Sequence, residues 1–317
     1  IKDGYGINES IIEQAHADGV EVILTCDNGI SAFHQVELAK KYGMTVVITD
    51  HHEVPLDGEK EKIPPADAVI DQKQADCPYP FPEICGAVVA YKLVQVLYAR
   101  RGVPQMEWLD LLEFAAIATV GDVMKLEDEN RILVKYCLNK MAQTKNLGLR
   151  RMAEKNNLDL GAITAYHIGF VIGPCLNAGG RLKTAKEALA LLRAQSEEEA
   201  ERLAEELKEL NDTRKDMTEQ GTEAAKLQVE SWYQKDKVLV VFLPECHESL
   251  AGIIAGRLRE YYQKPAIVLT RGEEAVKGSG RSIDEYHMFK KLTEVSDLLL
   301  KFGGHPLAAG LSLEEKN

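Results

Sequence analysis

The chain has 317 residues, 45% of them hydrophobic and 28% charged, with a formal net charge of −12 at pH 7. That length accommodates two domains with cores of their own, and the acidic balance excludes a surface coated in positive charge while leaving room for a locally basic groove. No apolar run reaches the roughly 18 residues that a membrane span requires, so no membrane partner is expected.

The chain opens IKDGYGINES, without an initiator Met, in a stretch that reads as a loop before a helix; a preceding N-terminal segment is expected. VEVILTC, residues 20–26, reads as the first strand and runs into Asp27 and the turn signal DNG. AFHQVELAKKYG reads as an amphipathic helix with Gly43 in the C-cap position. TVVITD is the next strand and ADAVID, residues 66–71, a third. Strands alternating with helices imply βαβ units and a parallel sheet.

Helices dominate from about Ile84 to Leu192 and include EFAAIATVGDVM, where an apolar helix is broken by Gly121 and Asp122. A long charged helix then runs to about Val229. Its start, residues 196–210, holds seven Glu against one Arg and one Lys and is expected to be a solvated face. A second alternation follows: strand KVLVVFL, helix ESLAGIIAGRLREYY, and strands PAIVLT and AVKGSGRS. The expected fold is α/β, with one α/β domain over residues 1–192, a connecting helix over 193–230 and a second α/β domain over 231–317.

Six cysteines (Cys26, Cys77, Cys85, Cys137, Cys175 and Cys246) occur without a CxxC pair and read as reduced thiols of a cytoplasmic protein. Cys77 and Cys85 lack a second ligand pair at zinc spacing.

The stretch VVITDHHEVP poses the functional question. An apolar, β-branched strand runs directly into Asp50, His51, His52 and Glu53. In open α/β sheets ligands sit beyond the carboxyl ends of the strands, and consecutive parallel strands are usually neighbours. Asp27 and the Asp50-His51-His52 run should therefore lie side by side at one sheet edge. Carboxylates mixed with imidazoles suit Mn²⁺, Mg²⁺ or Zn²⁺. Asp122 is a third acidic candidate. The plainer readings are a turn residue for Asp27 and a helix-end residue for Asp122.

TDHH resembles the signature of the DHH phosphoesterases, CDNGI the motif that precedes it in that family, and VGDV its next acidic motif. FGGHPLAAGLSL, residues 302–313, is similar to the GGH motif of the DHHA1 domain. GPCLNAGGRL (173–182), CHESLAGIIAGRLRE (246–260) and GSGRS (278–282) resemble the family's 5′→3′ exonucleases of single-stranded DNA. The resemblance implies a parallel-sheet DHH domain and a smaller, mixed-sheet DHHA1 domain, with a substrate cleft between them. It implies two-metal phosphodiester hydrolysis with Mn²⁺ or Mg²⁺ in DNA repair and recombination. By the same resemblance Asp27, His51 and Asp122 are metal ligands, with Asp27 the bridge. Asp50 orients an imidazole from behind, and His52 faces the scissile phosphate or leaving group. His52 as a hydrogen-bonded neighbour of the loop is the structural alternative.

Gly303, Gly304 and His305 are expected to form a phosphate cradle, with small Ala308 and Ala309 leaving room. Tight turns are the alternative for Gly303, Gly304 and Gly310. Ser279 and Arg281 supply a hydroxyl and a guanidinium fork, with Asn177 and Arg181 in a similar part. Arg181, Arg257 and Arg281 are expected to make the cleft locally positive. Single-stranded DNA is the expected partner, with single-strand-binding protein and a helicase beside it. The family's first motif, a strand ending in paired aspartates, is expected before residue 1, and an OB-fold domain after the GGH motif. Without that strand the piece is expected to hold at most one ion and to show little or no nuclease activity. Two other readings are a phosphodiesterase of short oligonucleotides or cyclic dinucleotides, and a catalytically silent DNA-binding or replication scaffold.

Overall fold

In the computed structural model, which describes residues 6–317, Asn8 caps helix α1 (Glu9–Ala17) by accepting the Ile11 N–H at 2.9 Å. Residues 1–5 of the expected opening loop lie outside the described residues. Strands β1 (Val22–Leu24) and β2 (Thr45–Thr49) flank helix α2 (Phe33–Lys41). Gly43 follows α2 with φ of +76°, and the Met44 N–H closes back onto Ala39 O at 3.1 Å. This is the left-handed helix stop that glycine makes cheap. A small hairpin, β3 (Leu56–Asp57) and β4 (Lys60–Glu61), precedes β5 (Ala68–Ile70); nothing in the residue pattern singled it out.

The sheet is parallel in the order β1-β2-β5, with Leu24 opposite Val47 and Thr49 opposite Ile70. Ile12 of α1 and Val36 and Ala39 of α2 bury against Met44, Val46 and Ile48. At about 25 cal/mol per Å² of apolar surface removed from water, this layer is what holds the two helices to the sheet.

A second cluster joins α3 (Gly86–Arg100), α5 (Leu112–Gly121) and α6 (Asp128–Lys140), beside the short α4 (Gln105–Leu109). Helix α7 (Leu147–Lys155) comes next. The three-residue α8 (Ala165–His167) then runs into a π-turn at Ile168–Ile172, followed by α9 (Gly173–Leu182) and α10 (Lys186–Leu192).

The long helix α11 (Glu197–Gln228) is present as expected, but its acidic start is not simply a solvated face. Glu197 pairs with Arg150 and Arg151, Glu201 and Glu205 pair with Lys155, and Ala200, Leu203 and Ala204 are buried. The acidic run was read without the basic residues of α7, which lie about 50 positions earlier and meet it only in three dimensions.

Two compact units emerge. One comprises the chain up to Asn177 together with Lys186–Glu205; the other comprises Ala178–Ala185 and Glu206–Asn317. The long helix is thus shared between the two units instead of forming a separate connector.

The second unit is built on a mixed sheet of β6 (Leu239–Phe242), β7 (Ala266–Arg271), β8 (Val276–Arg281), β9 (Leu299–His305) and β10 (Ala308–Leu313), in the order β6-β7-β8-β10-β9. Only β6 and β7 run parallel. Helix α12 (Glu248–Tyr262) covers one face through Leu250, Ala251, Ile254, Ala255 and Leu258. Helix α13 (Met288–Thr293) covers the other through Met288 and Leu292. The GGH stretch, expected from sequence to cradle a phosphate, closes β9 and pairs with β10 as a β-hairpin of this sheet. No described helix is long and apolar enough to cross a membrane.

Candidate active site

The carboxyl edge of the parallel sheet gathers the charged residues. After β1 the chain turns through Asp27, whose φ of +64° is left-handed and whose N–H donates to Thr49 O at 3.0 Å. Gly86, the first residue of α3, lies directly against it. A Cβ at Gly86 would stand 2.4 Å from Asp27 Oδ1 and 2.8 Å from Asp27 Cα. Only glycine lets that helix end approach so closely.

His51 is buried behind Asp27. Its Nε2 lies 2.9 Å from Asp27 Oδ1 and 3.6 Å from Asp122 Oδ2. Asp122 caps the C-terminus of α5, where its N–H donates to Ala118 O at 2.8 Å. Asp27, His51 and His52 each offer a ligand atom, all within 4.8 Å of one another.

Asp50 explains why a buried strand ends in charge. Its Oδ2 accepts the Ile30 N–H at 2.9 Å, and its Oδ1 accepts the His51 N–H at 2.8 Å. The same Oδ1 stands 2.7 Å from His52 Nδ1. Burial pushes this carboxyl upward, but the Ile30 N–H, the His52 ring and the His51 N–H together hold it below the usual carboxylate range. An ionised carboxylate has no proton to give, so His52 Nδ1 is the donor and its Nε2 is left for chemistry.

His51 is shifted upward, chiefly by its hydrogen bond to Asp27, against burial and with help from the charges of Asp27, Asp122 and Asp50. Asp122 is raised by burial and by Asp27, against the pull of His51. The carboxylates of Asp27 and Asp122 around His51 thus favour positive charge at the centre of the cluster, where a divalent ion would fit. Oxygen and imidazole donors in this mix suit Mn²⁺ or Mg²⁺.

Asp71 was missed from sequence as a residue of this edge. It follows β5, is buried, and its Oδ2 has no hydrogen-bond partner among the described protein atoms. Burial, with Asp50 adding to it, raises its carboxyl against the Lys73 N–H. The available signal was that a third strand, like the first two, ends in an aspartate. Gly86 carried no signal that spacing alone could reveal.

A second group lies around α12 in the other unit. Arg281 ends β8; its Nη1 donates to Ser279 Oγ at 3.1 Å and Gly280 O at 2.8 Å. A Cβ at Gly252 of α12 would stand 2.8 Å from Arg281 Nη2 and 2.9 Å from Ser279 Oγ. Arg181 Nη1 donates to Ser249 O at 3.2 Å. Burial, then the charges of Arg181 and Arg259, pull the Arg281 guanidinium below its ordinary value. Half-buried arginines crowded together in this way suit an anion. Arg257, expected in this group, instead lines a groove with Glu219, Glu223, Lys226 and Glu260. It is exposed, whereas Gly252 and Gly256 of the same helix face Arg281, and Arg259 is the α12 arginine whose charge acts on Arg281.

Gly303, Gly304 and His305 end β9. Gly304 has φ of +152°, and a Cβ there would meet Ala308 O at 2.3 Å, so the hairpin itself demands glycine. Gly303 and Gly310 are open, with nothing within 4 Å of an added Cβ. His305 is exposed and accepts the Leu307 N–H through Nδ1 at 3.3 Å. Asn177 is exposed on α9 and belongs to the first unit.

Residues 4–119 match the family model described as the DHH family, N-terminal domain, and residues 235–317 match the DHHA1 domain. The chain is 37% identical over 318 residues to a single-stranded-DNA-specific exonuclease RecJ of Bacillus subtilis, covering 100% of this chain and 39% of the relative. It is 37% identical over 334 residues to the Escherichia coli protein of the same name, covering 99% of this chain and 57% of the relative. The chain thus spans about half the length of the curated relatives it matches. Among solved structures, RecJ of Thermus thermophilus in complex with Mn²⁺ matches with a TM-score of 0.83 at 30% identity, over 98% of this chain and 45% of that one. An exonuclease RecJ bound to manganese matches with a TM-score of 0.84 at 31% identity, over 99% of this chain and 76% of that one. The chain belongs to the DHH family, in the RecJ branch that pairs a DHH domain with a DHHA1 domain.

Proposed function

We propose that this chain is the phosphodiesterase core of a 5′→3′ exonuclease that digests single-stranded DNA with Mn²⁺ or Mg²⁺, in DNA repair and recombination. The observation that carries the reading is the convergence of Asp27 and Asp122 on His51 Nε2 at 2.9 and 3.6 Å. In this reading Asp27, His51 and Asp122 are the metal ligands. The chemistry such an ion would supply there is activation of a water and neutralisation of charge on the transferring phosphoryl.

The chain's own residues do the rest. Asp50 keeps the His52 Nδ1 proton engaged, so that His52 presents Nε2 to the phosphate or leaving oxygen and can hold or give a proton there. Ser279, Arg281 and Arg181 grip a phosphate of the strand; the close approach of Gly252 to the first two supports a site shaped around backbone and guanidinium donors. Asn177, Gly303, Gly304 and His305 are assigned to the same strand. Single-strand-binding protein and a helicase, which manage unpaired strands, are the partners the reading implies. The six free cysteines fit a cytoplasmic protein.

The test is hydrolysis of a 5′-phosphorylated single strand, a duplex and a dinucleotide by the protein, with and without Mn²⁺. Mn²⁺-dependent loss of nucleotides from the single strand, abolished by Asp122→Ala, is the expected result. Preference for the dinucleotide would favour the small-substrate reading, and binding without hydrolysis the scaffold.

A further inference from the structure

Tyr166 and Phe170 stand one helical turn apart where α8 runs into the π-turn, with ring centroids 4.9 Å apart and planes 26° from parallel. Both face solvent, at 64% and 69% exposed. Large rings of this kind ordinarily contribute most by burial, so a stacked pair this exposed presents a flat apolar face to solvent. The backbone beneath is fixed: Ile168 and Ile172 of the same π-turn are buried, and π-turns often mark functional positions.

The segment that carries the pair is connected to the acidic cluster through α5. The π-turn packs on α5, and a Cβ at Gly169 would stand 3.4 Å from Val120 Cγ1. Val120 is two residues before Asp122. Immediately beyond Asp122, Val123 holds φ of +56°, a left-handed value that a β-branched side chain rarely accepts, and is 87% exposed. The end of α5 that carries Asp122 is thus accompanied by exposed apolar groups on constrained backbone, all within the first unit.

We propose that Tyr166 and Phe170 form a nucleobase-stacking platform for the single strand whose phosphodiester is held at the Asp27–His51–Asp122 cluster. The inference rests on the exonuclease reading and adds a subsite to it. An aromatic face accepts any base, because every base presents a π-surface, and so it grips a strand without reading its sequence. In a duplex those base faces are stacked on each other and unavailable. The platform therefore contributes to the preference for unpaired strands, and Val123 adds an apolar contact at the same end of α5.

The experiment uses the Tyr166→Leu/Phe170→Leu double variant, which keeps apolar bulk and removes the π-faces, together with Phe170→Trp, which enlarges one. Affinity is measured by fluorescence anisotropy for a short thymidine oligonucleotide and for an abasic strand with the same number of phosphates. The leucine variant should lose about ten- to a hundred-fold in affinity for the thymidine strand. Its affinity for the abasic strand should be unchanged, and Phe170→Trp should bind thymidine at least as well as the parent. Parental binding of thymidine by the leucine variant, or equal losses on both strands, would overturn the platform even if the parent is an active exonuclease. A parent that binds neither strand would overturn the exonuclease reading and the platform together. Parental affinity for DNA combined with loss of a bound protein would assign the rings to a protein partner and overturn the proposal.

Discussion

Asp50 Oδ1 and His52 Nδ1 stand 2.7 Å apart, the carboxylate side chain 1% exposed and the imidazole 59% exposed. One buried acid therefore sets the tautomer of an exposed histidine while also accepting the backbone N–H groups of Ile30 and His51. Asp50→Ala strands both N–H groups, at about 1–3 kcal/mol each, and should lower the unfolding free energy by several kcal/mol. Asp50→Asn keeps the shape but has one acceptor oxygen where the carboxylate has two, so either the Ile30 N–H or the His52 ring loses its acceptor; it should reduce hydrolysis by about 10- to 100-fold with a smaller loss of stability than Asp50→Ala. Urea unfolding and single-turnover hydrolysis, measured on both variants, separate the two effects.

Gly86→Ala should injure the acidic cluster without touching an ionisable group. The added methyl would overlap Asp27 Oδ1 at 2.4 Å, so either Asp27 or the start of α3 must shift. Mn²⁺ affinity, followed by electron paramagnetic resonance of the free ion, should fall by at least about tenfold, as expected when supporting residues around a metal are altered. Parental affinity in Gly86→Ala would show that Asp27 is not a ligand in its observed position.

Arg281→Ala should weaken single-strand binding and flatten its salt dependence. Each phosphate neutralised on a single strand contributes about 0.7 to the slope of log K against log salt. Loss of one contact should lower the slope by about that amount. Arg281→Lys should restore the slope, but not the full affinity, because a lysine has no guanidinium fork. Fluorescence titrations over a range of KCl concentrations provide the check.

Asp67 gives the first unit an acid-sensitive tie. It accepts Lys40 Nζ and the Val46 N–H, both at 2.7 Å, and Lys40 first and then the Val46 N–H hold its carboxyl below the ordinary value. A depressed carboxyl stabilises the fold above its unfolded-state pKa, and that stability is lost as pH falls through the folded-state value. Because the pair is exposed, the effect should be small. Asp67→Asn should lower the urea midpoint at neutral pH and converge with the parent in acid; a constant offset at all pH values would contradict the linkage.

Much of this arrangement was legible in the residues. TVVITD could be read as a strand because its β-branched run precedes charge, and Gly43 marked the end of α2 because a left-handed stop favours glycine. Asp27 and His51 could be brought together because parallel strands place their carboxyl ends on one edge, whereas Asp122, at the end of helix α5, was joined to them by the resemblance of VGDV to the family's acidic motif. What was not legible depends on contacts between distant segments. Gly86 matters only because α3 starts against Asp27, and the glutamates of α11 find Arg150, Arg151 and Lys155 only after folding. The GGH hairpin was hidden because its glycines suppress the alternating pattern that would mark two strands.

The central claim, that Asp27, His51 and Asp122 share a divalent cation, is tested most directly by Mn²⁺ titration of the 317-residue chain monitored by electron paramagnetic resonance. The account predicts saturable binding of one ion per chain, lost in Asp27→Ala, His51→Ala and Asp122→Ala with unfolding midpoints close to the parent. Binding that survives all three substitutions, or a parent chain that takes up no Mn²⁺ at any concentration tested, would contradict it.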